Sequence, residues 1–323
     1  DATRPIGSSV GAVETMFDAA ELYAETVLSR LHPRAEGMKV LLDCAHGAAC
    51  EVAPLAFGEL GAELSVVGNE PTGTNINEGV GSTHVEKLSE KLRAAAGRYY
   101  DVAFAFDGDA DRVLAVDEKG RVVDGDRIVA ILARDLKERG VLMNEVVVTV
   151  MSNLGFFKAM DRLGIRYEVT PVGDRHVAEA MLKGEAILGG EQSGHVIHAE
   201  YATTGDGLVT ALALLDVMAR SGKPLSELAE VMEVYPQTLI NVPVEGLGSA
   251  PKVAESEPVK AAAAKAVGRL ANEGRILLRP SGTEPVVRVM VEHPDEAVCR
   301  EVCEEVAAVV SSSSSQSAAE ART

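Results

Sequence analysis

Three carboxylates stand at alternate positions in Asp107-Gly-Asp-Ala-Asp-Arg112, between the apolar runs Asp101-Val-Ala-Phe-Ala-Phe106 and Val113-Leu-Ala-Val116. A tight loop with this spacing can turn the hard oxygens of Asp107, Asp109 and Asp111 toward one Mg²⁺ or Ca²⁺ ion. The plain alternative is a solvated acidic turn, but three like charges side by side are costly without a cation. With Glu118 as twelfth residue the stretch imitates a calcium-binding EF-hand. The sixth position of that loop demands Gly and here holds Arg112, and the flanks read as strands, so the EF-hand is excluded. A cation beside a metal loop suits a ligand that is itself anionic, such as phosphate.

A second cluster is Arg279-Pro-Ser-Gly-Thr-Glu-Pro285 with Arg288. The hydroxyls of Ser281 and Thr283, the open backbone at Gly282 and two arginines form a compact phosphate cradle. The same residues are good hairpin-turn chemistry; two arginines at one turn of so acidic a chain favour phosphate. A third stretch is Gly189-Gly-Glu-Gln-Ser-Gly-His195. Glu191 and Ser193 are two apart, so an extended segment aims both at one side, where a carboxylate and a hydroxyl suit vicinal sugar hydroxyls. His195 can serve as general acid or base. Taken alone the stretch also reads as a plain loop with a structural His. Asp174 and Arg175, after Gly173, read either as site residues or as a surface pair.

The elements that must carry these residues follow from periodicity. Residues 1–11 are polar, with Gly and Pro, and read as linker; a helix is expected over about 14–31, with Phe17, Leu22, Val27, Leu28 and Leu31 near one face. Met38-Lys-Val-Leu-Leu-Asp43 reads as a buried strand, followed by a turn, a helix ending at Leu60-Gly61, and the strand Glu63-Leu-Ser-Val-Val67. The order recurs: strand Glu145-Val-Val-Val-Thr-Val150, a Gly-containing turn, a helix ending at Leu163-Gly164, and strand Arg166-Tyr-Glu-Val-Thr170. Two copies of one β-α-β module imply two α/β domains, 12–125 and 126–234. Beyond Pro236 the pattern is an edge strand ended by Pro243, an Ala-rich helix over about 259–272, a hairpin carrying the arginines, and a helix over about 295–310. This is a small α+β domain, 235–310, and the serine-rich residues 311–323 read as a flexible tail.

Composition narrows the partners. Lys and Arg number 31 against 49 Asp and Glu, a net charge of −18, which repels nucleic acid and anionic membrane. A phosphorylated metabolite therefore needs a local arginine cluster. Aromatics are 4% and Trp is absent, so base-stacking platforms are poorly supplied. No apolar run reaches the about 18 residues of a membrane helix, and no cleavable leader pattern stands at the start. Cys44, Cys50, Cys299 and Cys303 match neither a disulfide framework nor zinc spacing, and read as reduced thiols of a cytoplasmic protein.

In this order and spacing, Asp107-Gly-Asp-Ala-Asp-Arg112, Gly190-Glu-Gln-Ser-Gly-His195 and Arg279-Pro-Ser-Gly-Thr-Glu-Pro285 resemble the α-D-phosphohexomutases over nearly the whole chain except the tail. Pro71-Thr-Gly-Thr-Asn-Ile-Asn77, Gly81-Ser-Thr-His84, Gln192 and Val172-Gly-Asp-Arg175 point to the branch that interconverts glucosamine 6-phosphate and glucosamine 1-phosphate. The resemblance implies two α/β/α domains with mixed sheets and a smaller C-terminal domain. It implies Mg²⁺ on Asp107, Asp109 and Asp111, with Arg112 near a phosphoserine. Glu191 and Ser193 then hold sugar hydroxyls, and Arg279, Ser281, Gly282, Thr283 and Arg288 grip the phosphate that is not transferred. His195, Asp174 and Arg175 are further contributors. The family's nucleophilic serine lies in a Ser-His-Asn-Pro loop of an N-terminal domain, and no such run occurs among these 323 residues. The resemblance thus covers family domains two to four, with 1–11 as the end of the first, and implies an inactive fragment that lacks a domain of the same protein. A phosphomannomutase/phosphoglucomutase and a non-catalytic phosphosugar-binding protein remain as alternatives.

Overall fold

The structure is a computed structural model that describes residues 10–95, 99–244, 250–271, 273–281 and 284–320. The described residues form two compact units. One comprises the chain up to Val150 together with Ile165–Val231; the other comprises Met151–Gly164 and the chain from Met232 onward.

The first unit holds two sheets built on one plan. Helix α1 (Ala19–Leu31) leads to β1 (Lys39–Asp43), α2 (Ala49–Glu59), β2 (Glu63–Val67), α3 (Val85–Ala95), β3 (Val102–Phe106), β4 (Val113–Asp117), β5 (Val122–Val123) and α4 (Gly125–Glu138). Strands β2, β1 and β3 run parallel, and β4 and β5 add antiparallel, in the order β2-β1-β3-β4-β5. The second sheet takes β6 (Val146–Thr149), β7 (Tyr167–Thr170), β8 (Leu188–Gly190) and β9 (Val196–His198), in the order β7-β6-β8-β9 with only β9 antiparallel. Helix α5 (Leu154–Leu163) follows β6 in the chain, and α6 (Asp174–Gly184) joins β7 to β8. Each module thus runs strand, helix, strand, helix, strand, strand, and the repeat read from the sequence is a repeat of topology. Strand β3, Val-Ala-Phe-Ala-Phe, is buried at every position, as a central strand covered on both faces requires. Helix α7 (Gly207–Ser221) is buried along most of its length and is followed by α8 (Leu225–Leu228).

In the second unit α5 joins a three-stranded antiparallel sheet, β10 (Gln237–Pro243), β11 (Arg275–Pro280) and β12 (Val286–Glu292), in the order β10-β12-β11. Strand β10 is an edge, consistent with its terminal proline. Helices α9 (Ala250–Ala254), α10 (Glu257–Arg269) and α11 (Glu296–Glu320) complete it, and Val253, Val259, Leu270, Val289, Val302 and Val306 belong to one buried cluster. The buried Glu292 carboxylate accepts from the Leu154 N–H, the Asn153 and Gln237 amides and the Arg275 guanidinium, so the start of α5 is tied to β12.

Three expectations are corrected. Helix α1 begins at Ala19, and Phe17 is 89% exposed; the buried face is Ala24 and Val27, so another turn to reach Phe17 would gain no burial. The serine run is not a flexible tail: α11 continues through it to Glu320. Cys299, Val302, Val306 and Val310 bury one face, Ser313 and Ser314 extend it, and the Ser312 and Ser315 hydroxyls donate to the carbonyls of Ala308 and Ser311. The third concerns 191–194, described with the site.

Candidate active site

The pairing of Phe106 with Val113 closes residues 107–112 into a loop between β3 and β4. Ala110 takes the left-handed conformation, φ +61°, and brings the carboxylates on either side of it together. One oxygen each from Asp107, Asp109 and Asp111 lies within 4.8 Å of the others. Asp107 is buried, Asp111 half-buried and Asp109 exposed. Asp107 Oδ1 accepts from the Arg112 backbone N–H at 3.1 Å. Its Oδ2 lies 2.6 Å from Arg112 Nε as an ion pair, yet the approach is off-line and that buried oxygen has no hydrogen bond. Burial holds the Asp107 carboxyl above the usual carboxylate range; Asp111 and Asp109 add to this and Arg112 opposes it. A buried oxygen that accepts no hydrogen bond among the described residues, three converging carboxylates and an all-oxygen donor set fit a hard divalent cation.

The Gly190–His195 stretch is stitched to this loop. The Val113 N–H donates to the Gly194 carbonyl at 3.1 Å, and Arg112 and His195 form a β-bridge. Gly194 has φ +95°, and a Cβ there would collide with the Val113 carbonyl, so only Gly permits this approach. His195 Nε2 accepts from the Gly205 N–H at 3.1 Å, which leaves the ring proton at Nδ1, 3.1 Å from Asp111 Oδ2. Both ring nitrogens of the buried His195 are therefore committed inside the protein. In this arrangement the ring orients the Asp111 carboxylate.

Glu191 and Ser193 are not on an extended segment. The Gly194 N–H donates to the Glu191 carbonyl at 3.0 Å, closing a turn that leaves Ser193 exposed and Glu191 half-buried. Period-two reasoning fails here because the strand stops at Gly190. The turn is anchored from beneath: the Gly125 N–H donates to the Gln192 carbonyl at 3.0 Å, and the Gln192 amide reaches Asp124 Oδ2 at 3.4 Å. Asp124 also caps α4 through the Arg127 N–H, and burial raises its pKa. Glu191 Oε1 accepts from the Gly173 N–H at 3.1 Å, which brings the 173–175 turn beside the sugar-type loop. Arg175 is 84% exposed and pairs with Glu179 one turn along α6, as a surface pair would; Asp174 opens that helix. Sequence reasoning missed Asp124 and Gly205. For Asp124 the signal was present, an Asp directly before the amphipathic α4.

In the second unit, Arg279 on β11 stands directly opposite Arg288 on β12. Like charges so placed are destabilising unless an anion lies between or beside them. Arg288 pairs with Glu284 at 2.9 Å, whereas Arg279 makes no hydrogen bond or ion pair among the described residues. Burial, then the neighbouring Arg288, lowers the Arg279 pKa. Ser281 Oγ accepts from the Glu284 N–H at 3.2 Å. Gly282 and Thr283 lie outside the described residues. The four cysteines are free, and no described helix is long and apolar enough to cross a membrane.

Comparison with known proteins covers the same elements. The family descriptions "Phosphoglucomutase/phosphomannomutase, alpha/beta/alpha domain II", "alpha/beta/alpha domain III" and "C-terminal domain" match residues 21–120, 124–235 and 239–309. A phosphoglucosamine mutase of Rubrobacter xylanophilus is 68% identical over 308 residues, which are 95% of this chain and 68% of that protein. The phosphoglucosamine mutase of Geobacillus thermodenitrificans is 49% identical over 308 residues, 95% of this chain and 67% of that protein. The chain thus spans about two thirds of the length of these relatives. Among solved structures, Aspergillus fumigatus N-acetylphosphoglucosamine mutase in complex with GlcNAc-6P and magnesium superimposes with a TM-score of 0.74 at 21% identity, over 90% of this chain and 65% of that one. A phosphoglucomutase/phosphomannomutase family protein of Burkholderia thailandensis gives 0.73 at 21%, over 91% and 64%. At this identity the two structures establish a shared fold.

Proposed function

Because the chain belongs to the phosphoglucomutase/phosphomannomutase family, the α-D-phosphohexomutases, we propose that its parent protein interconverts glucosamine 6-phosphate and glucosamine 1-phosphate. The observation that carries this reading is the three-aspartate loop, with its buried Asp107 carboxylate, joined through Arg112, Val113 and Asp111 to the Gly190–His195 stretch. Asp107, Asp109 and Asp111 would hold Mg²⁺. When bound, that ion supplies positive charge to the oxygens of a transferring phosphoryl group.

The protein's own groups do the rest. His195 orients Asp111 through Nδ1–H. Arg112 shields the Asp107 charge and offers a cation to a bound phosphoryl group. Glu191 and Ser193, on a turn pinned by Gly125, Asp124 and Gly173, accept from and donate to sugar hydroxyls. Arg279, Ser281 and Arg288, with Gly282 and Thr283, bind a substrate phosphate, Arg279 being a guanidinium without a protein partner among the described residues. Asp174 and Arg175 support the Gly173 turn. A soluble, cytoplasmic enzyme fits the free thiols and acidic surface.

Phosphoryl transfer also needs a covalent donor held in line with the sugar hydroxyl. The family's Ser-His-Asn-Pro run is not among these residues, and Ser193 and Ser281 belong to the sugar and phosphate loops. A coupled assay for glucosamine 1-phosphate, with Mg²⁺ and a hexose bisphosphate, tests the assignment. The 323-residue chain alone should give no turnover. Activity above background that Asp109→Asn abolishes would place the nucleophile within it.

A further inference from the structure

Helix α1 carries none of the residues assigned above, yet it grips the segment 198–207 at two points. At its C-terminal end the Arg30 guanidinium donates to the carbonyls of Glu200 and Tyr201 and lies 5.8 Å from the Tyr201 ring centre. One to two turns earlier, the Tyr23 hydroxyl donates to Asp206 Oδ2. Burial, then the bond to Asp206, raises the Tyr23 pKa, so the phenol stays a donor at working pH.

Asp206 sits between two residues that hold the metal loop. Its other oxygen caps α7 by accepting from the Val209 N–H at 2.9 Å. The preceding Gly205 donates its N–H to His195 Nε2, and the following Gly207 donates its N–H to the Ala110 carbonyl at 2.9 Å. Ala110 lies between the ligands Asp109 and Asp111, and His195 holds Asp111. The segment has no slack. A Cβ on Gly205 would strike the His195 ring, and one on Gly207 would crowd the Ala110 and Arg112 carbonyls. A shift of Asp206 therefore passes to both sides of Asp111.

We propose that Tyr23 is a positioning residue for the metal loop: by latching Asp206 it sets residues 205–207, which set the His195 ring, Asp111 and the Ala110 carbonyl. The helix α1 is in this way part of the apparatus that orders the ligands, although it touches none of them. The inference rests on the reading that Asp107, Asp109 and Asp111 bind Mg²⁺.

Calorimetric Mg²⁺ titration of the whole chain, as wild type, Tyr23→Phe, His195→Ala and the double variant, tests it, with thermal unfolding confirming that each is folded. Tyr23→Phe removes one oxygen and leaves the ring. It should weaken Mg²⁺ binding about three- to tenfold, less than the roughly 10–100-fold of a direct partner of a ligand. In the His195→Ala background most of that loss should vanish, because the latch acts through the ring. Asp206→Asn, which keeps the α7 cap, should lose affinity in the same direction. Unchanged affinity in Tyr23→Phe overturns the latch, and so do losses that simply add, which would make Tyr23 a general stabiliser. A wild-type chain that binds no Mg²⁺ overturns the metal reading itself.

Discussion

Asp109→Asn separates the cost of the three-carboxylate loop from its use. One oxygen from each carboxylate lies within 4.8 Å of the others. At that distance two unit charges repel by about 3.5 kcal/mol at an effective dielectric of about 20, and by about 0.9 kcal/mol in bulk water. Asp109 is the exposed member, so the lower figure applies. With two neighbours, both ion-paired with Arg112, removing its charge should relieve at most about 2 kcal/mol at low salt, less as salt screens it. In EDTA the variant should therefore unfold a few degrees above wild type. Mg²⁺ reverses the sense. At about 100 times the dissociation constant a ligand stabilises the fold by about 2.7 kcal/mol, and each decade of lost affinity forfeits about 1.4 kcal/mol of it. The variant's lead should shrink as Mg²⁺ rises and disappear if two decades are lost. Thermal unfolding in EDTA and across a Mg²⁺ series reads both effects on one sample. Equal midpoints in EDTA with equal Mg²⁺ increments would refute the argument, since then the carboxylates neither repel nor share an ion.

Other perturbations follow from particular contacts. Arg279→Ala removes one of two facing guanidiniums and should leave unit two folded while weakening glucosamine 6-phosphate binding by about one to two decades, the worth of a charge-assisted hydrogen bond of about 1.5–3 kcal/mol; undiminished binding by the folded variant reduces the cradle to a hairpin turn. Gly194→Ala meets both a φ of +95° and the Val113 carbonyl, so it should lower the unfolding midpoint and the Mg²⁺ affinity together, whereas Gly222→Ala, at φ +64° in open space, should cost only about 1 kcal/mol and leave Mg²⁺ binding alone. His198 is buried, its Nε2 has no hydrogen-bond partner among the described residues, and burial lowers its pKa to about 4. An unfolded His titrates near 6.5, so the unfolded chain binds the extra proton first, and stability should fall as pH drops from about 6.5 to about 4, by about 3 kcal/mol in all. Denaturant unfolding of His198→Phe across that range should show this part of the slope gone.

Much of the molecule is legible in one dimension because its causes are local. The buried runs of β1, β3 and β6, the Leu-Gly helix ends and the repeated β-α-β order follow from hydrophobic spacing and from the conformations Gly allows. The aspartates of 107–112 are neighbours in sequence, so a single turn suffices to bring their charges together. What the sequence could not decide is whatever depends on a partner far along the chain. His195 reads either as an acid–base group or as a structural His, and only the fold sets Asp111, 84 residues away, and Gly205 against its two nitrogens. Glu191 and Ser193 read as one face of a strand until the turn closed by Gly194 separates them. The serine run reads as tail until helical spacing carries Ser313 and Ser314 onto a buried face. Tyr23 lies in the expected first helix with no role assigned until Asp206, 183 residues away, accepts its hydrogen bond. Periodicity and turn chemistry act over a few residues, whereas the commitment of a polar atom depends on which donor the packed fold sets within about 3 Å of it. Only the tertiary structure decides that.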